Sequence, residues 1–213
     1  AKQDRIRLVI QPPLDFLDPI PGYVLDKLSA AMFVVPWVKD AHDRLIKAGL
    51  KNVYEPIPLG LNTDLWKPTG RDAHPGTMND LGFLHNTFNI SIVAANQMGR
   101  KAWPQTLQAI KLFRELRPDI QVRVYIHTHL NMADGWDITA LVNNYGIGDI
   151  TKTAAPYPLL IGTYTEYQMM LVHALADCVL NCSIEGFGYA TIQAQAVQTP
   201  VIVLNAAATP DLV

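Results

Sequence analysis

The chain has 213 residues, 49% of them hydrophobic, with 17 Lys and Arg against 19 Asp and Glu, for a net charge of −2. That length can bury one large core, or the equivalent of one and a half small domains. The balanced charge excludes the broad basic field expected of a nucleic-acid binder, and no run reaches the ~18 apolar residues of a membrane-crossing helix.

In chain order, strand-like apolar runs alternate with helical patterns. "RIRLVI" reads as a first strand, "GYVLDKLSA" as a helix and "AMFVVP" as a β-branched strand. "WVKDAHDRLIKAGL" reads as a helix with Val38, Leu45, Ile46 and Leu50 on one stripe and Gly49 near its end. "NVYEPIPLGL" reads as a short strand running into a Pro/Gly turn. The polar, Gly- and Pro-rich "NTDLWKPTGRDAHPGTMND" reads as a linker, with a boundary near Pro68. Beyond it come the strand "FNISIVAANQ", the amphipathic helix "WPQTLQAIKLFREL" and the strand "QVRVYIHT". Pro104 suits the first turn of that helix and Pro118 lies just past its end. The helix "DITALVNNYGI", the helix "EYQMMLVHALA", the strand "DCVLNCSI", the helix "YATIQAQAVQ" and the strand "PVIVLN" complete the series. Such alternation predicts an α/β domain with a parallel, Rossmann-like sheet and helices on both faces.

The only cysteines, Cys178 and Cys182, are four residues apart. On one strand they would stand about 13 Å apart, too far to bridge. Two thiols without a disulfide framework point to a reducing, cytoplasmic setting. No signal peptide is visible. The chain reads as incomplete, because it begins almost directly in a strand and stops at "TPDLV" without a terminating element.

In a doubly wound sheet, ligands bind at the carboxyl ends of strands, and three places there carry chemistry. In "SIEGFGYA", Gly186 and Gly188 form a turn between strand and helix, and Glu185 stands at the strand end. Such a turn can present N–H groups and a helix end to an anion, or can need glycine for its dihedrals alone. "GFGYAT" has Thr191 where a dinucleotide fingerprint has its third glycine, and Asn205 where the ribose-binding acid falls, about 20 residues on. Both count against an NAD-type oxidoreductase. In "NQMGRKAWPQ", Arg100 and Lys101 stand at a helix entrance, where cations oppose the macrodipole. A bound anion would relieve the conflict. A solvated basic pair is the plainer alternative. In "YIHTHL", His127 and His129 have H-x-H spacing, but a metal would need a third ligand that the sequence does not place.

Taken in order, these segments resemble a known family from about Ala31 onward. "NVYEPIPLGLNTDLWKP" resembles v-x-P-x-G-V-D-x-x-x-F-x-P, and "GRKAWPQTLQAIKLF" resembles K-G-x-x-x-L-x-A-h. "HALADCVLNCSIEGFGYATIQAQAVQTPVIV" resembles a-D-h-h-h-x-P-S-x-x-E-G-F-G-h-x-x-x-E-A-x-A-x-G-x-P-V-I. These are the motifs of the GT-B retaining glycosyltransferases of glycosyltransferase family 4 (group 1), and the chain resembles a fragment of one. The resemblance implies residues 1–67 as the end of an N-terminal acceptor-side domain with its linker, and 68–213 as a nucleotide-sugar donor domain cut short at its C-terminus. It implies transfer of a sugar from a UDP- or GDP-type donor to a carbohydrate, lipid-linked or small-molecule acceptor, with retention, no metal and no cofactor besides the donor substrate. Glu185 would contact the donor sugar. The backbone of Gly186, Phe187, Gly188 and Tyr189 would line sugar and diphosphate, and Lys101, helped by Arg100, would neutralise the leaving diphosphate. Any contact with a membrane surface would come through segments outside this chain.

The chain departs from the pattern at several positions. Gln193 replaces the second acid of E-x7-E, which would hold the ribose, and Ala102 replaces the glycine after the lysine. Gln198 replaces the glycine before x-P-V, Ala207-Ala208 the usual G-G, and Asp211 a common Glu. Asn96 stands near the place of an arginine. These changes keep open a second reading, a degenerate, non-catalytic homologue that binds nucleotide or another partner.

Overall fold

A computed structural model describes residues 7–213. The chain forms two compact units. The larger holds Leu61–Ser183 and Tyr189–Val203, and the smaller holds the described residues up to Gly60 with Ile184–Gly188 and Leu204–Val213. The chain thus passes between units at Gly60–Leu61, a few residues ahead of the boundary expected at 67/68.

In the smaller unit, β1 (Val9–Ile10) pairs in parallel with β2 (Phe33–Val34). The first expected strand is therefore shorter than "RIRLVI", and its residues 5 and 6 lie outside the described residues. α1 (Gly22–Ser29) lies between these strands in the chain, and α2 (Lys39–Lys47) follows β2. Val38, Ala41, Leu45 and Leu50 are buried along α2, but Ile46, expected on the same stripe, is 47% exposed. One residue further along a helix turns the side chain by about 100°, off the buried face. "NVYEPIPLGL" does not form a strand. Only Val53 bridges, to Val34, since Pro56 and Pro58 cannot donate to a ladder.

The larger unit is built on five parallel strands in the order β5-β4-β3-β6-β7. They are β3 (Phe88–Val93), β4 (Val122–His127), β5 (Thr151–Thr153), β6 (Cys178–Asn181) and β7 (Val201–Val203). On one face, Ile90, Ile92, Val124 and Ile126 pack with residues of α4 (Trp103–Leu116) and α5 (Ile138–Asn144). On the other, Tyr125 packs with α3 (Pro75–Leu81) and α7 (Glu166–Ala174). The remaining helices are the short α6 (Pro156–Leu160) and α8 (Tyr189–Ala196). α4 has the bounds its sequence predicts, whereas β5 and α6 fall in a stretch that carried no expectation.

The expected polar linker is in part core. Trp66 is 1% exposed, donates its indole N–H to Glu166 at 2.7 Å, and packs against the His173 ring. α3 lies in the same stretch and buries Met78 and Leu81. Among the described residues no helix is long and apolar enough to cross a membrane.

Candidate functional site

Parallel strands bring the carboxyl ends of β3, β4 and β6 to one edge of the sheet, where the sequence places its chemistry. The segment leaving β3 carries Arg100 and Lys101 into α4. Arg100 donates from Nε to Gln97 Oε1 at 2.8 Å, and Lys101 is only 8% exposed. Ala102 is the N-cap of α4, in a left-handed conformation with φ 43°. Its carbonyl accepts from both the N–H and the hydroxyl of Thr106, each at 2.9 Å. The indole N–H of Trp103 returns to the carbonyl of Ala95 at 3.0 Å. The turn that presents the two cations is thus tied at both ends.

Asn96 ties two segments of the chain together. Its amide donates to the carbonyls of His129 (2.9 Å) and Trp136 (2.6 Å), and its Oδ1 accepts from the Trp136 N–H (2.8 Å). A buried amide with these bonds staples the segment leaving β3 to the one leaving β4. Gly135 permits the approach, since a Cβ there would stand 2.6 Å from Asn96 Oδ1.

β4 ends at His127, so His129 lies past the strand. The His127 ring meets Tyr164 edge-on at 4.7 Å and reaches the Tyr125 hydroxyl at 3.3 Å. Burial first, and then the neighbouring His129, lower the His127 pKa to about 4, so the ring is neutral at pH 7. Burial raises the Tyr125 phenol. Among the described residues, no group of three His, Cys, Asp or Glu side chains stands close enough to hold a metal.

At the end of β6, Asn181 donates to Thr191 Oγ1 at 2.9 Å and accepts from Ser183 at 2.7 Å, all three buried. This network joins the strand to the first turn of α8. Thr191, which stands at the third glycine of a dinucleotide fingerprint, uses a hydroxyl that glycine lacks. Tyr189 begins α8 and is exposed, and Gln193 is half-buried on the same helix.

The rest of the glycine turn belongs to the smaller unit. Glu185 is half-buried, and Gly186, Phe187 and Gly188 are buried. A Cβ on Gly186 would stand 3.0 Å from the Leu14 nitrogen and 3.1 Å from Pro13 Cα, so a close chain approach requires glycine there. Gly188 has φ 101°, which side chains rarely adopt. The Phe187 and Trp37 rings meet edge-on at 6.4 Å, and the Ala208 N–H donates to the Glu185 carbonyl at 3.2 Å. The expected residues therefore divide by unit. Arg100, Lys101, Tyr189 and Gln193 lie in the larger, and Glu185, Gly186, Phe187 and Gly188 in the smaller.

No family model matches the chain. The D-inositol 3-phosphate glycosyltransferase of Arthrobacter sp. (strain FB24) is 28% identical over 148 residues, which are 68% of this chain and 32% of that protein. Among solved structures, a glycosyltransferase from Rickettsia africae ESF-5 superposes with a TM-score of 0.69 at 14% identity, over 91% of this chain and 50% of that one. Anabaena Alr3699/HepE, in complex with UDP-glucose, gives 0.65 at 19% identity, over 90% and 50%. The C-terminal domain of a glycosyl transferase group 1 family protein (LpcC) from Francisella tularensis gives 0.55 at 18%, over 72% and 75%. The fold is that of the GT-B glycosyltransferases. The chain spans about a third of the curated relative and half of the first two solved chains.

Set beside that GT-B fold, the departures from glycine form a pattern. Among the described residues, three non-glycines have a left-handed backbone: Ala102 (φ 43°), Gln198 (φ 61°) and Ala207 (φ 52°). In the motif resemblance drawn from the sequence, these three positions stand opposite glycines. A side chain in that conformation costs about 1–2 kcal/mol.

Proposed function

We propose that this chain is the donor-binding part of a retaining, metal-independent glycosyltransferase of family 4. In this reading residues 68–213 hold the nucleotide sugar, and 1–67 close the acceptor-side domain. The observation that carries the proposal is the left-handed trio Ala102, Gln198 and Ala207. It supports a backbone drawn to the family's shape, with the buried Lys101 immediately before one member of the trio.

The chemistry follows from charge. As the anomeric bond breaks, negative charge develops on the nucleoside diphosphate. Fixed cations and a helix N-terminus aimed at that charge stabilise the transition state more than the ground state. Lys101 supplies a point charge, strengthened by its burial. Arg100 supplies a fork for phosphate oxygens, and the start of α4 supplies its dipole. Glu185 holds the donor sugar, and the backbone from Gly186 to Tyr189 lines sugar and diphosphate. Gln193 offers the ribose one neutral acceptor oxygen in place of a carboxylate, which weakens that hold. HepE is solved with UDP-glucose, so a UDP-sugar is the first donor to try. The acceptor is a carbohydrate, a lipid-linked sugar or a small molecule, met in the cytoplasm or at a membrane surface.

The test is Lys101→Ala in calorimetric titrations. Affinity for the nucleoside diphosphate should fall about tenfold to a hundredfold, the worth of a charge-assisted bond of about 1.5–3 kcal/mol, with affinity for the free nucleoside unchanged. Equal losses for both ligands would remove Lys101 from the phosphate role. Gln193 favours a second reading, a homologue that binds nucleotide without turnover. Transfer of the sugar to an acceptor, with release of the nucleoside diphosphate, would exclude it.

A further inference from the structure

We infer that Asp211 is a positioning residue for Glu185, an inference that rests on the glycosyltransferase reading of Glu185. All the contacts involved lie within the smaller unit. α2 has Val38 at its N-cap, with no side-chain cap of its own. Its Asp40 N–H is instead taken by the Asp211 carboxylate at 2.6 Å, from 171 residues further along the chain. Arg44 holds α2 in place through the Asp18 carboxylate (2.8 Å) and the Phe16 carbonyl (2.7 Å).

Asp211 ends the helical turn Thr209–Asp211. In that turn, fully buried Thr209 bonds through its hydroxyl to the carbonyls of Leu204 and Ala206. Ala208, also buried, donates its N–H to the Glu185 carbonyl at 3.2 Å. A continuous path therefore runs from α2 through Asp211 and the turn to the backbone of Glu185. Asp211 bonds to a helix end; its effect on the donor is exerted through Glu185. Releasing it frees the turn from α2 and loosens the anchor of the Glu185 carbonyl. Losses from misplacement by an ångström reach a hundredfold in catalytic systems, so the effect is expected on the sugar, which Glu185 holds, and not on the diphosphate.

The experiment compares wild type, Asp211→Ala, Asp211→Glu and Glu185→Gln in the full-length protein by calorimetric titration. The probe is whichever of UDP-glucose, GDP-mannose and ADP-glucose the wild type binds most tightly, set against its own nucleoside diphosphate. The ratio of the two affinities reports the hold on the sugar. Asp211→Ala should lower that ratio about tenfold, as Glu185→Gln does, with affinity for the diphosphate kept, and Asp211→Glu should restore the ratio. A lowered melting temperature with an unchanged ratio, or equal weakening of both ligands, overturns the inference and leaves the glycosyltransferase reading standing. Wild type that binds none of the three sugar nucleotides contradicts both.

Discussion

Two helices of the larger unit open in opposite ways. α7 closes its own end with a capping box. Thr165 Oγ1 accepts from the Gln168 N–H at 3.2 Å, and Gln168 Oε1 accepts from the Thr165 N–H at 2.8 Å. α4 opens on Ala102, which has no polar side chain to cap with, in a left-handed conformation and directly after Arg100 and Lys101. α7 spends its residues on the core, where Met170, Leu171, Val172 and His173 are all buried. α4 buries a matching inner face through Trp103, Leu107 and Ile110, yet at its entrance it gives up a cap, an easy φ and a favourable charge. A helix end that is poor for stability on three counts, at the carboxyl edge of the sheet, is one arranged for something other than stability.

The largest effect expected from this contrast is on α7. His173 is fully buried, with both ring nitrogens lacking a partner, and burial lowers its pKa from 6.5 to about 4. The native ring is therefore neutral, and the unfolded chain binds the proton more readily between those pH values. Stability is fully present above pH 6.5 and is lost as pH falls toward 4, by about 3 kcal/mol for this residue. Urea unfolding at pH 7.5, 6 and 5 measures it, and His173→Leu should roughly halve the slope, the remainder coming from His127, whose pKa is lowered alike. A His173→Leu profile as steep as that of wild type would place the titration elsewhere.

A smaller loss is expected at the start of the same helix. Thr165→Ala removes the capping box and should cost about 1 kcal/mol, read as a lower urea midpoint with donor affinity unchanged. If donor affinity moved with it, α7 would no longer serve as the structural half of the contrast. The smallest effect has the opposite sign. Ala102→Gly relieves a left-handed side chain and should stabilise the protein by about 0.5–1 kcal/mol, raising the melting temperature by about 1–4 °C. A fall would mean that the alanine conformation at 102 is not strained.

Much of this architecture was legible in the sequence. The alternation of apolar runs and helical stripes predicted the parallel sheet, and Pro104 and Pro118 bracket α4. Where reading failed, the cause is local. β5 is the three-residue edge strand Thr151–Thr153, with no apolar residue to mark it. α3 buries only Met78 and Leu81 amid glycines and prolines. "NVYEPIP" looked like a strand because its apolar content outweighed the prolines that prevent a ladder. At the candidate site, the strand ends and the cations were readable from order and spacing. The bonds made by Asn96, Thr191 and Asp211 were not, because each depends on a partner that only the folded chain brings near. The same holds for the grouping of 184–188 and 204–213 with the described residues up to Gly60, which arises from contacts far apart in sequence.

The account turns on whether this chain binds a sugar nucleotide, and thermal melting of the full-length protein tests that most directly. UDP-, GDP- and ADP-sugars are titrated against NAD. At a hundredfold excess over Kd, the matching sugar nucleotide should stabilise the protein by about 2.7 kcal/mol, a shift of several degrees, and NAD should give none. Stabilisation by NAD, or by no sugar nucleotide at all, would contradict the account.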